Sequence, residues 1–222
     1  MQKNKPPDPP KRYRPQMVRS TKAREEGELC DILLKTDSLR FGTFKLTSGI
    51  LSPYYIDLRL IPSDPEAFKR VIGFYSSLLE AGPLRRAQRL AGIPTAGIAY
   101  AAVLAFKLSK PFLYVRREPK EHGRGRRIEG LLRPGESVVV LDDVITTGKN
   151  VIEAVDAIRA EGGIAEHAVV LLDRKQGGEA NLAKVGVKLH AFTTIRRIAD
   201  VLLDRGTLDE GQHREIVQQI VS

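Results

Sequence analysis

Hydrophobic and polar positions follow two different periods along this chain, and the switches between them mark its elements. Phe68, Val71, Ile72, Tyr75, Leu78 and Leu79 stand at offsets 0, 3, 4, 7, 10 and 11, the spacing of one face of an α-helix. Ser63-Asp64-Pro65 ahead of them predicts the helix start, with Pro65 at the first helical position, where its missing N–H leaves no bond unmade. An earlier stripe of Leu29, Ile32 and Leu33 predicts a helix over about residues 22–35, with Thr21 as its N-cap. Between these two helices, FGTFKLTSGILSPYYIDLR (41–59) reads as two short strands around the turn Thr47-Ser48-Gly49.

From about residue 89 strands and helices alternate. A strand ends near Ile93, the loop Pro94-Thr95-Ala96-Gly97 follows, and a nearly all-apolar helix runs over about 98–108. The strand FLYV (112–115) leads into the charged segment RREPKEHGRGRR (116–127). Val138, Val139, Val140 and Leu141 form a buried strand that should end at Asp142 and Asp143, before Thr146-Thr147-Gly148 and a helix closed by Gly162-Gly163. The strand HAVVLLD (167–173), a short helix over 179–184, the strand VKLHAF (187–192) and two helices complete the chain. A Thr207-x-x-Glu210 capping box is expected on the last helix. Strands separated by helices of this length predict an α/β fold, a parallel sheet with helices on both faces. Ligands of such sheets sit at the carboxyl ends of the strands, where the acidic pair falls.

Length and composition narrow the picture. A chain of 222 residues suffices for one domain with a sizeable core, expected over 21–222 with a small N-terminal subdomain at about 21–62. Residues 1–24 hold eight basic side chains and one acid, a net +7 of the whole chain's +9. The first 20 residues contain five prolines and few large apolar side chains, so they are expected to be a disordered basic tail. Such a tail can touch an acidic partner by charge alone, but no nucleic-acid-reading motif accompanies it, and nucleic acid is not the expected partner. Cys30, alone of its type, excludes an internal disulfide and reads as a small buried hydrophobe on a helix. No apolar run approaches the ~20 residues of a membrane span, and the N-terminus lacks the apolar core of a secretory signal. A cytoplasmic protein without membrane partners is expected.

The chemistry concentrates in VVVLDDVITTGKN (138–150). A helix N-terminus offers free N–H groups and a positive dipole end to a phosphate, and the turn before it can add an anion-binding nest. Asp142 and Asp143 cannot bind phosphate, so they should serve ribose hydroxyls or a developing positive charge. Lys149 after Gly148 invites comparison with a nucleotide-binding P-loop, but positions 143 and 150 hold Asp and Asn instead of Gly and Ser or Thr. Gly123-x-Gly125 lacks the third glycine of a dinucleotide fingerprint. The histidines 122, 167, 190 and 213 have no ligand spacing, and no metal site built by protein side chains is expected.

VVVLDDVITTG (138–148) resembles the signature of type I phosphoribosyltransferases, which bind 5-phosphoribosyl 1-pyrophosphate. Three further segments are similar to the orotate phosphoribosyltransferase family: FGTFKLTSGILSPYYIDLR to its N-terminal hood, RREPKEHGRG (116–125) to its mobile catalytic loop, and LLDRKQGG (171–178) to the strand end whose arginine contacts orotate. The resemblance spans about residues 21–205 and implies a type I phosphoribosyltransferase core with a small hood. It implies transfer of ribose 5-phosphate to orotate, in pyrimidine biosynthesis, with Asp142, Asp143, Lys120 and His122 as the catalytic groups. Arg116, Arg117, Lys120, His122, both aspartates, Val144, Ile145, Thr146, Thr147, Gly148, Lys149 and Asn150 would hold the donor. Thr146, Arg174, Lys45 and either Tyr54 or Tyr55 would hold orotate; alternation sends the two tyrosines to opposite faces. Mg²⁺ would be carried mainly by the donor's oxygens. A homodimer in which the basic loop reaches the neighbouring site is also implied. Two departures are visible: Thr47 and Ala96 stand where some members carry lysines. A transferase for another base and a donor-sensing regulator are the rival readings.

Overall fold

Helix α1 (Pro15–Lys35) opens the fold in the computed structural model, which describes residues 15–45, 51–118 and 127–220. It starts at a proline, the residue best suited to a first helical position. Thr21 therefore lies inside the helix instead of capping it, and residues 15–20, expected to be disordered, are helical. Residues 1–14 and the turn 47–49 lie outside the described residues. Cys30 is fully buried on α1, and burial pushes its thiol up to about 11.

Strands β1 (Leu39–Lys45) and β2 (Leu51–Ile56) pair antiparallel, with Phe41 opposite Tyr54 and Lys45 opposite Leu51. A bulge interrupts the ladder after Phe41, where Gly42 adopts φ +145°, a conformation side chains rarely take. A short 3₁₀ turn, Leu58–Ser63, leads to α2 (Pro65–Leu79). Asp64 caps α2 as expected, accepting from the N–H groups of Glu66 and Ala67 at 3.1 Å each.

The main sheet contains β3 (Arg89–Gly92), β4 (Phe112–Val115), β5 (Ile128–Glu129), β6 (Ser137–Ile145), β7 (Ile164–Asp173) and β8 (Lys188–Thr194). Their order is β5-β4-β3-β6-β7-β8, parallel except for the antiparallel β4–β5 edge. Helices α3 (Ala96–Lys107), α4 (Lys149–Ala160) and α5 (Gly178–Lys184) are the crossovers, and α6 (Ile195–Asp204) and α7 (Glu210–Gln218) follow β8.

Alternation along the strands divides the core in two. Val139, Leu141, Val169 and Leu171 pack with α1, α2, α3 and α6. Val138, Val140, Ala168 and Val170 pack with α4 and α5 on the other face. Helices on both faces are thus what the sequence pattern predicts.

Two local expectations are corrected. The central strand runs past Asp142 and Asp143 to Ile145, because β7 continues to pair with it as far as Asp173. Asp209 and Gln212, not Thr207 and Glu210, form the capping box of α7. The N–H of Thr207 is already engaged by the carbonyl of Leu202 in closing α6. No described helix is long and apolar enough to cross a membrane.

Candidate active site

The cleft lies at the carboxyl ends of β3 and β6, where parallel strands deliver their last residues into solvent. It encloses about 300 Å³ and is lined by Ile56, Asp57, Arg59, Pro94–Ala96, Arg117 and the continuous segment Asp142–Val151. At one end Gly148, at φ +82°, turns the chain from β6 into α4. No side chain among the described residues caps α4, so the N–H groups of Lys149, Asn150 and Val151 remain open toward the cleft. The turn is braced from behind by Asn181, whose Nδ2 donates to the Thr147 carbonyl at 3.0 Å. Gly178 allows this approach: a Cβ there would stand 2.7 Å from the Thr146 carbonyl oxygen.

The acidic pair sits in the middle of the cleft. Asp142 is only 7% exposed, and its Oδ1 accepts from the N–H of Asp143 at 3.0 Å. Burial pushes its carboxyl well above the usual range, and the neighbouring Asp143 adds to this. Asp143 is also pushed up by burial, although hydrogen bonds from Asp142 and nearby backbone oppose the shift. Their backbone is fixed from below, since the buried Tyr75 hydroxyl donates to the Asp142 carbonyl at 2.7 Å. The first turn of α3 presses on the same strand. A Cβ on Gly97 would lie 2.6 Å from the Leu141 carbonyl oxygen, so only glycine fits there.

The basic groups divide. Arg117 lines the cleft and donates from Nη2 to the Pro94 carbonyl at 3.3 Å. Arg116 turns away to Glu129, 3.2 Å from Nη1, and its N–H donates to the Arg127 carbonyl at 2.7 Å. Lys149 is 80% exposed and stands 3.9 Å from Glu153. Lys120 and His122 lie outside the described residues. His167 and His190 neighbour each other on β7 and β8, and His213 pairs with Asp200 at 2.8 Å; none lines the cleft.

Tyr54 and Tyr55 point to opposite faces of β2. Tyr54 is 1% exposed and its hydroxyl accepts from Arg174 Nε at 3.1 Å. The Arg174 guanidinium also lies over the Tyr54 ring, 4.9 Å from its centroid. Tyr55 instead packs beside Phe44, with Arg40 over its ring. Arg174 is tied to the end of β6 by its own N–H, 3.0 Å from the Ile145 carbonyl. Its Nη2 is buried with no partner among the described residues, and Arg174, Tyr54 and Tyr55, all candidates to hold the base, are absent from the cleft lining. Lys45 is exposed at the end of β1 and is absent from the cleft lining.

Residues 65–205 match the phosphoribosyl transferase domain family. The chain is 44% identical over 189 residues to the orotate phosphoribosyltransferase of Pyrobaculum islandicum, covering 84% of this chain and 95% of that protein. It is 39% identical over 185 residues to the orotate phosphoribosyltransferase of Cenarchaeum symbiosum, with 83% and 92% covered. The chain belongs to the orotate phosphoribosyltransferase family. Among solved structures, the orotate phosphoribosyltransferase from Aeropyrum pernix superposes with a TM-score of 0.71 at 36% identity, over 81% of this chain and 99% of that one. Leishmania donovani UMP synthase gives 0.77 at 30% identity, over 87% of this chain and 41% of that one.

Within this member of the orotate phosphoribosyltransferase family, two cleft residues carry more than their sequence context suggests. Asp57 and Arg59 form a bidentate pair, Nε to Oδ1 at 2.6 Å and Nη2 to Oδ2 at 2.7 Å. Those hydrogen bonds hold the Asp57 carboxyl below its ordinary range. Reading SPYYIDLR as hood strand and turn places both residues but gives neither a role; the acid–x–Arg spacing at the end of a strand was the available signal.

Proposed function

We propose that the chain transfers the phosphoribosyl group of 5-phosphoribosyl 1-pyrophosphate to a ring nitrogen of orotate, giving orotidine 5′-monophosphate and pyrophosphate. The bond from the anomeric carbon to the pyrophosphate oxygen breaks and its electron pair leaves with pyrophosphate. A bond from the orotate nitrogen replaces it on that carbon. The observation that carries this reading is the cleft's layout, with an open helix N-terminus and a buried acidic pair beside it; Arg174 stands outside that lining, its backbone bonded to the end of the same strand.

Each part of the donor has a chemically matched counterpart. The turn Thr146–Gly148 and the N–H groups of residues 149–151 suit the 5′-phosphate. Asp142 and Asp143 suit the ribose hydroxyls and the positive charge that develops at the anomeric carbon. Arg174, with its free Nη2, suits the orotate carboxylate, and a fork of two N–H groups reads such an anion well. Tyr54 holds that guanidinium in place and is the tyrosine we assign to the base side.

No group of three or more His, Cys, Asp or Glu side chains among the described residues is arranged to hold a metal. We assign Mg²⁺ to the donor's oxygens and water, its usual ligands beside substrate phosphates. When bound, it would neutralise charge on the pyrophosphate. Lys120, His122 and Arg117 would add protein cations at that leaving end and exclude water from it, by the family resemblance.

We further propose a cytoplasmic homodimer in which this basic segment serves the neighbouring site. Mixing Lys120→Ala chains with Asp143→Asn chains, each inactive alone, tests sharing: recovered activity is expected, and none contradicts it. For the reaction itself, orotate absorbance is followed with the donor and Mg²⁺, with uracil and hypoxanthine as controls. Loss of orotate with appearance of its nucleotide is expected; an unchanged orotate signal contradicts the assignment.

A further inference from the structure

We propose that Arg59 is a binding residue for the pyrophosphate end of the donor. It would supply a fixed cation that the adjoining loop Pro94–Ala96 does not carry. The inference rests on the reading that the cleft takes 5-phosphoribosyl 1-pyrophosphate, and it adds a residue to that site.

The geometry is that of a presented cation. Arg59 lines the cleft with its side chain 59% exposed. Nε and Nη2 are both committed to Asp57, which fixes the guanidinium plane and leaves Nη1 without a partner among the described residues. The backbone beneath it is also held. Asp57 Oδ1 accepts from the Arg59 N–H at 3.1 Å, and the buried Tyr100 hydroxyl donates to the Leu58 carbonyl at 2.7 Å. Tyr100 lies one turn along α3 from Ala96, so the Asp57–Arg59 turn is seated on the start of α3, beside the loop.

Charge decides what this cation is for. The cleft lining holds three carboxylates, Asp57, Asp142 and Asp143, and three cations, Arg59, Arg117 and Lys149. Lys149 belongs to the phosphate turn at the other end and is shared with Glu153. Pro94, Thr95 and Ala96 carry no charge. Among the described residues that leaves Arg117 and Arg59 to face a leaving group with several negative charges. An arginine preset in a fork loses little side-chain freedom when an anion arrives at its remaining edge.

The test compares wild type, Arg59→Gln and Arg59→Lys in both reaction directions, with thermal melts to check folding. In Arg59→Gln the KM for pyrophosphate and for the donor should rise about tenfold or more, while those for orotate and its nucleotide stay within about twofold. Arg59→Lys, which keeps the charge and loses the fork, should fall between the two. An unchanged pyrophosphate KM, an equal rise for all four ligands, or a lysine variant no better than glutamine overturns the proposal. Calorimetry with magnesium pyrophosphate reads the same contact without turnover. If wild type binds pyrophosphate more tightly than Arg59→Gln but transfers nothing to orotate, the base assignment has failed and the Arg59 contact stands.

Discussion

The proposed phosphate and base sides of the site are built in opposite ways. The proposed phosphate side is one continuous segment, Asp142–Val151, whose geometry follows from a strand, a left-handed glycine and a helix start. The proposed base side, outside that lining, joins parts that are far apart in the chain. Arg174 meets Tyr54 across 120 residues, and Gln219 at the end of α7 meets Ser52 at 3.1 Å across 167. The Gln219 side chain also donates to the Leu51 carbonyl at 2.8 Å, while its backbone carbonyl accepts from Gln176 Nε2 at 3.4 Å, so this one residue joins β2 to the loop after Arg174. On the proposed assignment, local backbone would hold the donor's phosphate and tertiary packing would hold the base. Changes at the base end should therefore alter selectivity and leave donor binding in place.

The largest expected break of that contrast is Asp143→Asn. Removing the charge proposed to face the developing cation should lower kcat by roughly 10²–10³-fold, measured by orotate consumption, with the melting temperature not reduced. A change confined to the orotate KM would move Asp143 to the base end. The buried pair also gives a pH signature. Because burial raises the Asp142 carboxyl above its ordinary 3.8, the folded state keeps a proton that the unfolded chain has already lost. Stability therefore falls as pH rises through that window. The melting-temperature advantage of Asp142→Asn over wild type should grow as pH rises above the ordinary carboxyl value of 3.8; an advantage that shrinks instead contradicts the burial reading.

Arg174→Ala should raise the orotate KM by roughly 10–100-fold, the loss of a charged hydrogen-bonding group, with the donor KM within about twofold. Gly97→Ala probes the support beneath both ends. Its Cβ would stand 2.6 Å from the Leu141 carbonyl oxygen, and backbone must move, so thermal unfolding should show a loss of about 1–3 kcal/mol. Gln219→Ala should raise the orotate KM only about two- to fivefold, since neutral hydrogen bonds contribute about 1 kcal/mol; an equal rise for the donor would show that the clasp serves the whole cleft. Removing residues 1–14 should leave kcat and both KM values unchanged, and any loss assigns the basic segment a part in turnover.

The same contrast explains what the sequence made legible. The α2 stripe and its Asp64-Pro65 start are local patterns, and they appear as read. The turn Thr146–Gly148 and the start of α4 are contiguous, so their local geometry is legible in the sequence. The length of β6 is not, because Asp142 and Asp143 look like a strand's end until β7 is seen pairing beyond them. Alternation put Tyr54 and Tyr55 on opposite faces but could not name the buried one; that choice is made by Arg174, far along the chain. Gln219 carries no motif at all, and its importance to β2 exists only in the folded molecule.

Donor binding and orotate transfer, measured together in wild type and Arg174→Ala, test the split cleft most directly. Wild type should bind the magnesium complex of 5-phosphoribosyl 1-pyrophosphate and consume orotate; Arg174→Ala should keep the donor Kd within about twofold while orotate transfer at subsaturating orotate falls at least about tenfold. Loss of donor binding together with orotate use, or full orotate use without Arg174, would contradict it.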